Sequence, residues 1–266
     1  VLINLLFHVS LPAFAANPAI LSMNIFDEQQ GNWPQDFRKT RLTKLDDWIS
    51  DHPEIRAAVF QEARGDDVWP QNLRSLSNRT YVPEMDGADG KSYGYMGISK
   101  FLPASEWHDG FSFAGGLNRK TLAQVFKPWS EELPCLGILT VHMSYQNSQV
   151  RVKEAQWMVD WIKAHESDCA QWILAGDFNA EPNSPEIQIL RNAPGFKFLL
   201  NEPTSTVGPY NPIRAIYGTA KPNQQIDLAF GYHVNGVAKI VLRDPIDSVW
   251  ISDHAGVLII PESVSK

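Results

Sequence analysis

Two short motifs and four single residues stand where apolar runs end, and all of them carry groups that handle phosphate, metal or protons. In Gly176-Asp177-Phe178-Asn179, an Asp and an Asn two positions apart follow the strand-like stretch 171–175. From there the Asp can orient or deprotonate a water, and the Asn amide can donate to an anionic oxygen. An ordinary Asx turn would use the same two residues. The triplet Ser252-Asp253-His254 interrupts apolar residues on both sides, 249–251 and 257–260. Adjacent side chains diverge, so its Asp, a hard oxygen donor, and its His, which titrates near neutrality, serve different partners. Glu62 ends IRAAVFQ, Asn24 ends AILSM, Asp227 follows Gln225 and Ile226, and His142 ends LGILTV. A carboxylate at the end of a buried strand is unfavourable unless a cation compensates it. Each residue alone reads as a capped or solvated polar group. Six such endings in one chain point to a site.

The elements that must position these residues follow one grammar, used twice. The apolar run 19–23 precedes a polar loop, and residues 38–50 carry Leu42, Leu45, Trp48 and Ile49 at helical spacing. His52-Pro53 ends that helix, and the strand 55–60 delivers Gln61 and Glu62. Later, the strand 136–141 delivers His142, and residues 149–163 place Val150, Ala155, Met158, Trp161 and Ile162 on one helix face. The strand 171–175 then delivers Asp177 and Asn179. Polar residues at the C-terminal ends of strands are where open α/β sheets place their sites. Further strands are expected at 93–100, 119–126, 225–230 and 257–260, and Ser184-Pro185 opens a short helix as N-cap and N1. No Gly/Ser linker or low-complexity tract divides the chain, so residues 17–266 are expected to form one α/β domain.

The formal net charge is −7, with 30 acidic and 23 basic residues spread evenly. That balance argues against a protein that coats nucleic acid electrostatically. Four of the acids, Glu62, Asp177, Asp227 and Asp253, belong to the candidate site, where a divalent metal would offset them. The charge therefore leaves room for an enzyme that reaches one phosphate through a bound cation. No apolar run attains the roughly 18 residues of a membrane-spanning helix. Residues 1–16 are uncharged and nearly all apolar over 2–9, and Ala13-Phe14-Ala15 matches a signal-peptidase cleavage pattern. They are expected to be the remnant of a secretory signal peptide, with the mature chain starting near Asn17 in a secreted or periplasmic location. A buried first strand is the alternative. Cys135 and Cys169 lie seven and eight residues before His142 and Asp177. If those two strands are parallel neighbours, the thiols sit at the same end of both, within reach of a disulfide. Two unrelated thiols remain the other reading.

Taken in order, LSMN (21–24), FQEA (60–63), GYMGISK (94–100), LTVHMS (139–144), AGDFN (175–179), QIDLAF (225–230) and SDH (252–254) resemble the endonuclease/exonuclease/phosphatase superfamily of the DNase I-like fold. The combination is specific, although no single piece is. The resemblance implies an α/β fold, a two-sheet α/β/β/α sandwich with the site at one edge. It also implies a Mg²⁺- or Mn²⁺-dependent hydrolase. On this pattern Glu62 is the central metal ligand with Asn24 beside it, and Asp253 is a further ligand or metal-shell carboxylate. His254 acts on the attacking water or the scissile phosphate, and Asp227 orients its imidazole. Asp177 and Asn179 position water and phosphate, and His142 contacts the phosphate and assists the leaving group.

The branch is less defined. The histidine of LTVHMS is typical of branches resembling DNase I, sphingomyelinases, inositol-phosphate phosphatases and nocturnin-like enzymes. Abasic-site repair nucleases usually carry a tyrosine-containing segment there. DNase I-like nucleases also pair this histidine with a Glu just before the GYMGISK-like strand. Here that stretch reads DGADGKSY, leaving Asp86 or Asp89 as substitutes. The implied substrates are nucleic acid, phospholipid or a small phosphodiester, with a monoester as a further option. A secreted nuclease and a sphingomyelinase- or phospholipase C-like enzyme are the leading forms. The alternative is a toxin-like or other binding subunit that keeps the fold without catalysis. A monomer with no obligate protein partner is expected. Trp33, Trp69, Trp107 and Trp129 fall in loop-like stretches and are the residues offered for transient contact with a membrane surface. Arg119 and Lys120 are a candidate phosphate-facing pair, or simply an exposed charged turn.

Overall fold

The computed structural model describes residues 17–26, 37–65, 69, 72–86, 92–111, 119–213 and 223–263. The first strand, β1 (Ala19–Asn24), runs parallel to β2 (Ile55–Arg64), and α1 (Phe37–Ser50) lies between them in sequence. Antiparallel neighbours extend this pair on both sides. Beyond β2 lie β3 (Asn78–Asp86) and β4 (Ser92–Ser99), with β4 inside. Beyond β1 lie β13 (Asn235–Val241) and β14 (Gly256–Glu262), with β14 inside. The first sheet is therefore ordered β13-β14-β1-β2-β4-β3.

The second sheet repeats this plan. Its parallel pair is β9 (Leu136–His142) and β10 (Trp172–Asp177), joined through α2 (Ser148–Ala164). With β5 (Ser105–Trp107), β8 (Ala123–Phe126), β11 (Phe196–Phe198) and β12 (Asp227–Tyr232), the order is β5-β8-β9-β10-β12-β11. The strand–helix–strand unit read twice in the sequence is thus the centre of each sheet. A short ribbon of β6 (Gly110–Phe111) and β7 (Arg119–Lys120) stands apart from both.

Side-chain alternation along β1 explains the layering. Ile20 faces the other sheet, joining Ala57, Val59, Val125, Ile138 and Ile259 in one core cluster. Ala19, Leu21 and Met23 face away from that cluster and pack with Leu42, Leu45 and Ile49 of α1. Strands buried on both faces read as continuous apolar runs, which is why their sequences show no period of two. On the second sheet, Ala155, Met158, Val159 and Ile162 of α2 join the core. Helix, sheet, sheet and helix form the α/β/β/α sandwich the sequence implies.

Local capping accounts for the helix starts. Asn147 accepts from the Gln149 and Val150 amides at the head of α2. Ser184 takes the N-cap position of α3 (Pro185–Asn192) with Pro185 at N1, but its hydroxyl makes no capping bond. The predicted strand 119–126 divides. The Thr121 amide donates to the Asp109 carbonyl, so residues 119–120 pair with β6 and only 123–126 join the second sheet.

Cys135 and Cys169 form a disulfide with a Cα–Cα distance of 5.8 Å. Cys135 directly precedes β9 and Cys169 lies three residues before β10, at the end of the parallel pair where Gly137 stands opposite Trp172. Closing a loop with a sequence separation of 34 residues stabilises the fold by about 3–4 kcal/mol on the chain-entropy account. The tryptophan reading needs correction. Trp69 and Trp129 are fully buried, and Trp107 packs edge-on against Trp161. An apolar ring finds more favourable burial in the core than in a loop, whatever its local sequence. Trp33 and the proposed export segment 1–16 lie outside the described residues, as do the Arg119 and Lys120 side chains. Among the described residues, no helix is long and apolar enough to cross a membrane.

Candidate active site

Strand register brings the separate motifs together. Asp177, the last residue of β10, stands opposite His142 on one side and Asp227 on the other. In the first sheet, Asn24 ends β1 opposite Gln61. A bulge follows at once: β2 pairs Phe60 with Met96 and then Ala63 with Gly94, and Glu62 takes a φ of 54°. A non-glycine residue in the left-handed region costs roughly 1–3 kcal/mol and is held only where the surroundings impose it. Here the bulge presents the Glu62 carboxylate to the Asn24 amide. Gly176 serves the same end on β10. A Cβ at its φ of 150° would lie 1.9 Å from the Val141 carbonyl, so only glycine lets β10 approach β9 beside Asp177 and His142.

Asp177 is the hub. Its Oδ1 accepts from the Asn179 amide N–H at 2.7 Å, and its Oδ2 accepts from Asn24 Nδ2 at 3.2 Å. The same Asn24 nitrogen donates to Glu62 Oε1 at 2.9 Å. His142 Nε2 lies 3.9 Å and His254 Nε2 lies 3.8 Å from Asp177 Oδ2. His142 Nε2 is also 3.7 Å from Glu62 Oε1. On its other side, the His254 ring meets both Asp227 oxygens through Nδ1, at 3.1 and 2.9 Å. Asp253 Oδ1 is 4.0 Å from His254 Nε2. All eight predicted site residues therefore meet at one edge of the sandwich. Asn179 departs in detail, since its side-chain amide donates to the Met143 carbonyl. Asp89 and the Asp86 side chain, proposed partners of His142, lie outside the described residues.

Burial sets the electrostatics. It pushes the Glu62 carboxyl up, and the Asp253 charge adds to this against the opposing pull of His142. It also pushes Asp227 up, against the pull of His254. For His254, burial alone would lower the imidazole. The carboxylates of Asp227, Asp253 and Asp177 outweigh it and raise the group to about 10. The ring is thus cationic at neutral pH and donates from both nitrogens.

Several residues that hold this geometry carry weak sequence signals. Thr206 is fully buried, and its hydroxyl accepts from the amides of Ile226 and Asp227, fixing the start of β12. Ser252 donates to the Asn24 carbonyl and accepts from the His254 amide, tying the two sheet-one endings together. Buried Arg41 of α1 donates to the carbonyls of Ile25, Phe26 and Ile251. Asn211 donates to the Ser252 carbonyl and accepts from the Ile213 amide. The Asn211-Pro212 pair is a turn signal that could have flagged it. Nothing in the spacing marks Thr206 or Arg41. Behind His142, the Ser144 amide donates to Glu154 and Arg151 donates to the Ser144 carbonyl and to Glu186.

The donor set fits a hard divalent cation. Glu62, His142 and Asp177 offer ligand atoms within 4.8 Å of one another; Asp177, Asp227 and His254 meet the same spacing, but the protonated His254 ring has no lone pair to give a metal. Carboxylates crowded and buried in this way are stabilised by a cation of high charge. A raised carboxyl pKa lends stability that is complete below the ordinary value and lost as pH rises through the raised one. Ionising Glu62 therefore destabilises the metal-free protein. Glu62→Gln should raise the melting temperature in EDTA by about 2–4 °C, as expected for roughly 1 kcal/mol in a chain of this size. Saturating Mg²⁺ should stabilise the wild type by about 2.7 kcal/mol at 100 times its Kd, and the variant by far less. A variant that melts lower in EDTA, or keeps the full Mg²⁺ shift, would place the cation elsewhere.

The fold is shared with several solved structures at low identity. An endonuclease/exonuclease/phosphatase from Bacteroides vulgatus superposes with a TM-score of 0.71 at 16% identity, over 94% of this chain and 100% of that one. A mannosyl-6-phosphatase from Bacteroides thetaiotaomicron gives 0.68 at 15%, over 92% and 99%. Beta toxin from Staphylococcus aureus gives 0.67 at 17%, over 94% and 100%. No curated protein sequence matches the chain. Residues 29–254, from just after Asn24 to His254 itself, match the sequence model of the Endonuclease/Exonuclease/phosphatase family, and the chain belongs to that family.

Proposed function

We propose that this protein is an exported, divalent-metal-dependent phosphoesterase that cleaves phosphodiesters, with monoesters as a further class open to the same site, through direct attack of water. The observation that carries the reading is the convergence on Asp177 Oδ2. One carboxylate oxygen is faced by two imidazole Nε2 atoms and by the Asn24 amide. A bound Mg²⁺ or Mn²⁺, held by Glu62 with Asp253 and Asn24 beside it, would neutralise phosphoryl charge and stabilise the leaving oxygen. Gaps of 3.8 and 3.9 Å between Asp177 and the two rings are longer than hydrogen bonds, and a water, which both accepts and donates, can bridge them. Asp177 takes the proton of the attacking water, and the Asn179 amide holds the carboxylate in line. Cationic His254, oriented by Asp227, donates from Nε2 to a phosphoryl oxygen, and His142 donates on the leaving side.

The decisive assay is hydrolysis of bis(4-nitrophenyl) phosphate with Mg²⁺ or Mn²⁺, with and without EDTA. Turnover should require the metal. Parallel assays on plasmid DNA, sphingomyelin and inositol phosphates then separate a secreted nuclease from a phospholipase C-like enzyme and from a phosphatase. Absence of metal-dependent turnover on every substrate would overturn the proposal in favour of a binding subunit.

A further inference from the structure

Beside the reaction centre lies a cleft of about 880 Å³ that the mechanism above does not use. Its place in the fold is set by chain connections. Glu181 and Asn183 follow Asn179, Ser205 precedes Thr206, and Gln225 stands two before Asp227. Arg243 follows β13, whose last residue pairs with Gly256, two past His254. The cleft therefore opens on the Asp227–His254 flank, on the far side of β10 from His142.

Its chemistry selects among ligands. An acyl chain finds little apolar wall, and the one aromatic ring, Phe198, already has the Arg191 guanidinium over its face at 4.2 Å. A stacked base is disfavoured for the same reason. A polyanion would meet Glu181 and Glu202 as well as Arg191 and Arg243. Among the described residues, none of these four side chains forms an ion pair; both guanidiniums lie over rings, Arg191 over Phe198 and Arg243 over Tyr210 at 4.7 Å, so both signs of charge line the cleft without neutralising each other. Amides of Asn183 and Asn201 add donors and acceptors in one wall. Guanidinium, carboxylate and amide groups together suit vicinal hydroxyls, each of which both donates and accepts. The volume lies within the range of small-molecule sites.

We propose that this cleft is a specificity subsite for the alcohol half of the substrate, and that it takes a hydroxyl-rich group, a sugar or polyol. The inference rests on the phosphoesterase reading and chooses polyol phosphoesters from the classes open to it. Two matched pairs test it: glucose 6-phosphate against n-hexyl phosphate, and the 4-nitrophenyl diesters of the same two alcohols. The wild type should prefer the sugar member by roughly tenfold or more in kcat/KM, as sites built to bond hydroxyls reject analogues that lack them. Asn183→Leu with Asn201→Leu, both exposed positions, should reduce the preference to within about threefold. Hydrolysis of bis(4-nitrophenyl) phosphate should be unchanged in that variant. No preference in the wild type, or a preference that survives the double substitution, would overturn the subsite. If neither these esters nor plasmid DNA, sphingomyelin and inositol phosphates are turned over, the phosphoesterase reading fails on its own. Ligand-observed NMR titration with glucose 6-phosphate and n-hexyl phosphate then decides the cleft. Saturable, sugar-selective binding weakened by the double substitution supports it, and equal or unaffected binding refutes it.

Discussion

Asp177→Asn should lower kcat on bis(4-nitrophenyl) phosphate by on the order of 10³-fold, as expected for removal of a positioned general base. The substitution preserves shape. The new amide oxygen can still accept from the Asn179 N–H that now meets Oδ1 at 2.7 Å. What changes is the atom at Oδ2. An N–H₂ group there faces the Asn24 amide nitrogen and, across short gaps, two imidazole nitrogens. Donors then meet donors, and no group is left to take a proton from water. Stability should move little or even rise, because Asp177 is one of the charges that crowd Glu62, Asp227 and Asp253 in the metal-free site. A fall in activity without a fall in melting temperature separates this outcome from misfolding. Turnover within tenfold of wild type would remove Asp177 from the proton path.

Much of this site was legible because each member ends an apolar run. A strand buried on both faces announces its length, and the first polar residue after it is delivered to the sheet edge. Asn24, His142 and Asp177 follow that rule directly. Glu62 does so only through the bulge, which no period in IRAAVFQEAR reveals. Parallel pairing of β9 and β10 could be inferred from the helix between them, and the disulfide position with it. Edge strands were harder. In β13, the edge strand of its sheet, seven residues mix Gly, Lys and apolar side chains, and all but Ala238 are half-buried or exposed, so the apolar signal is diluted. The supporting shell was hardest. Arg41 sits on a helix face that reads as ordinary amphipathic pattern, yet it reaches three carbonyls on two different chain segments. Thr206 acts on a residue 21 positions away, a contact set by tertiary structure alone. Trp69 and Trp129 mislead for the converse reason: irregular backbone around them does not keep their rings out of the core.

The buried His254–Asp227 pair should reveal itself in a double-mutant cycle that reads stability and catalysis separately. His254→Ala removes the ring proposed to donate toward the substrate, so kcat should fall by on the order of 10³-fold. It also strands Asp227, 1% exposed, without its imidazole partner. Breaking a buried pair on one side costs about 3–5 kcal/mol, whereas replacing both members with apolar groups is often near neutral. Asp227→Ala in the His254→Ala background should therefore restore part of the lost melting temperature and none of the activity. Near-additive losses would mean that the two side chains are energetically independent despite their 2.9 Å contact. The pH dependence supplies a second check. His254 has its pKa raised from 6.5 to about 10 in the folded protein, so its stabilising contribution is complete below about 6.5 and lost as pH climbs toward 10. In EDTA, the stability advantage of the wild type over the double variant should shrink steadily across that window. Mg²⁺ should narrow it at neutral pH, because a cation held by Glu62 and Asp253 draws on Asp253, one of the carboxylates that hold the imidazole charged. An advantage that is flat from pH 6.5 to 10 would show that the ring is neutral in the folded state, and the phosphate contact assigned to His254 would then have to come from its neutral N–H.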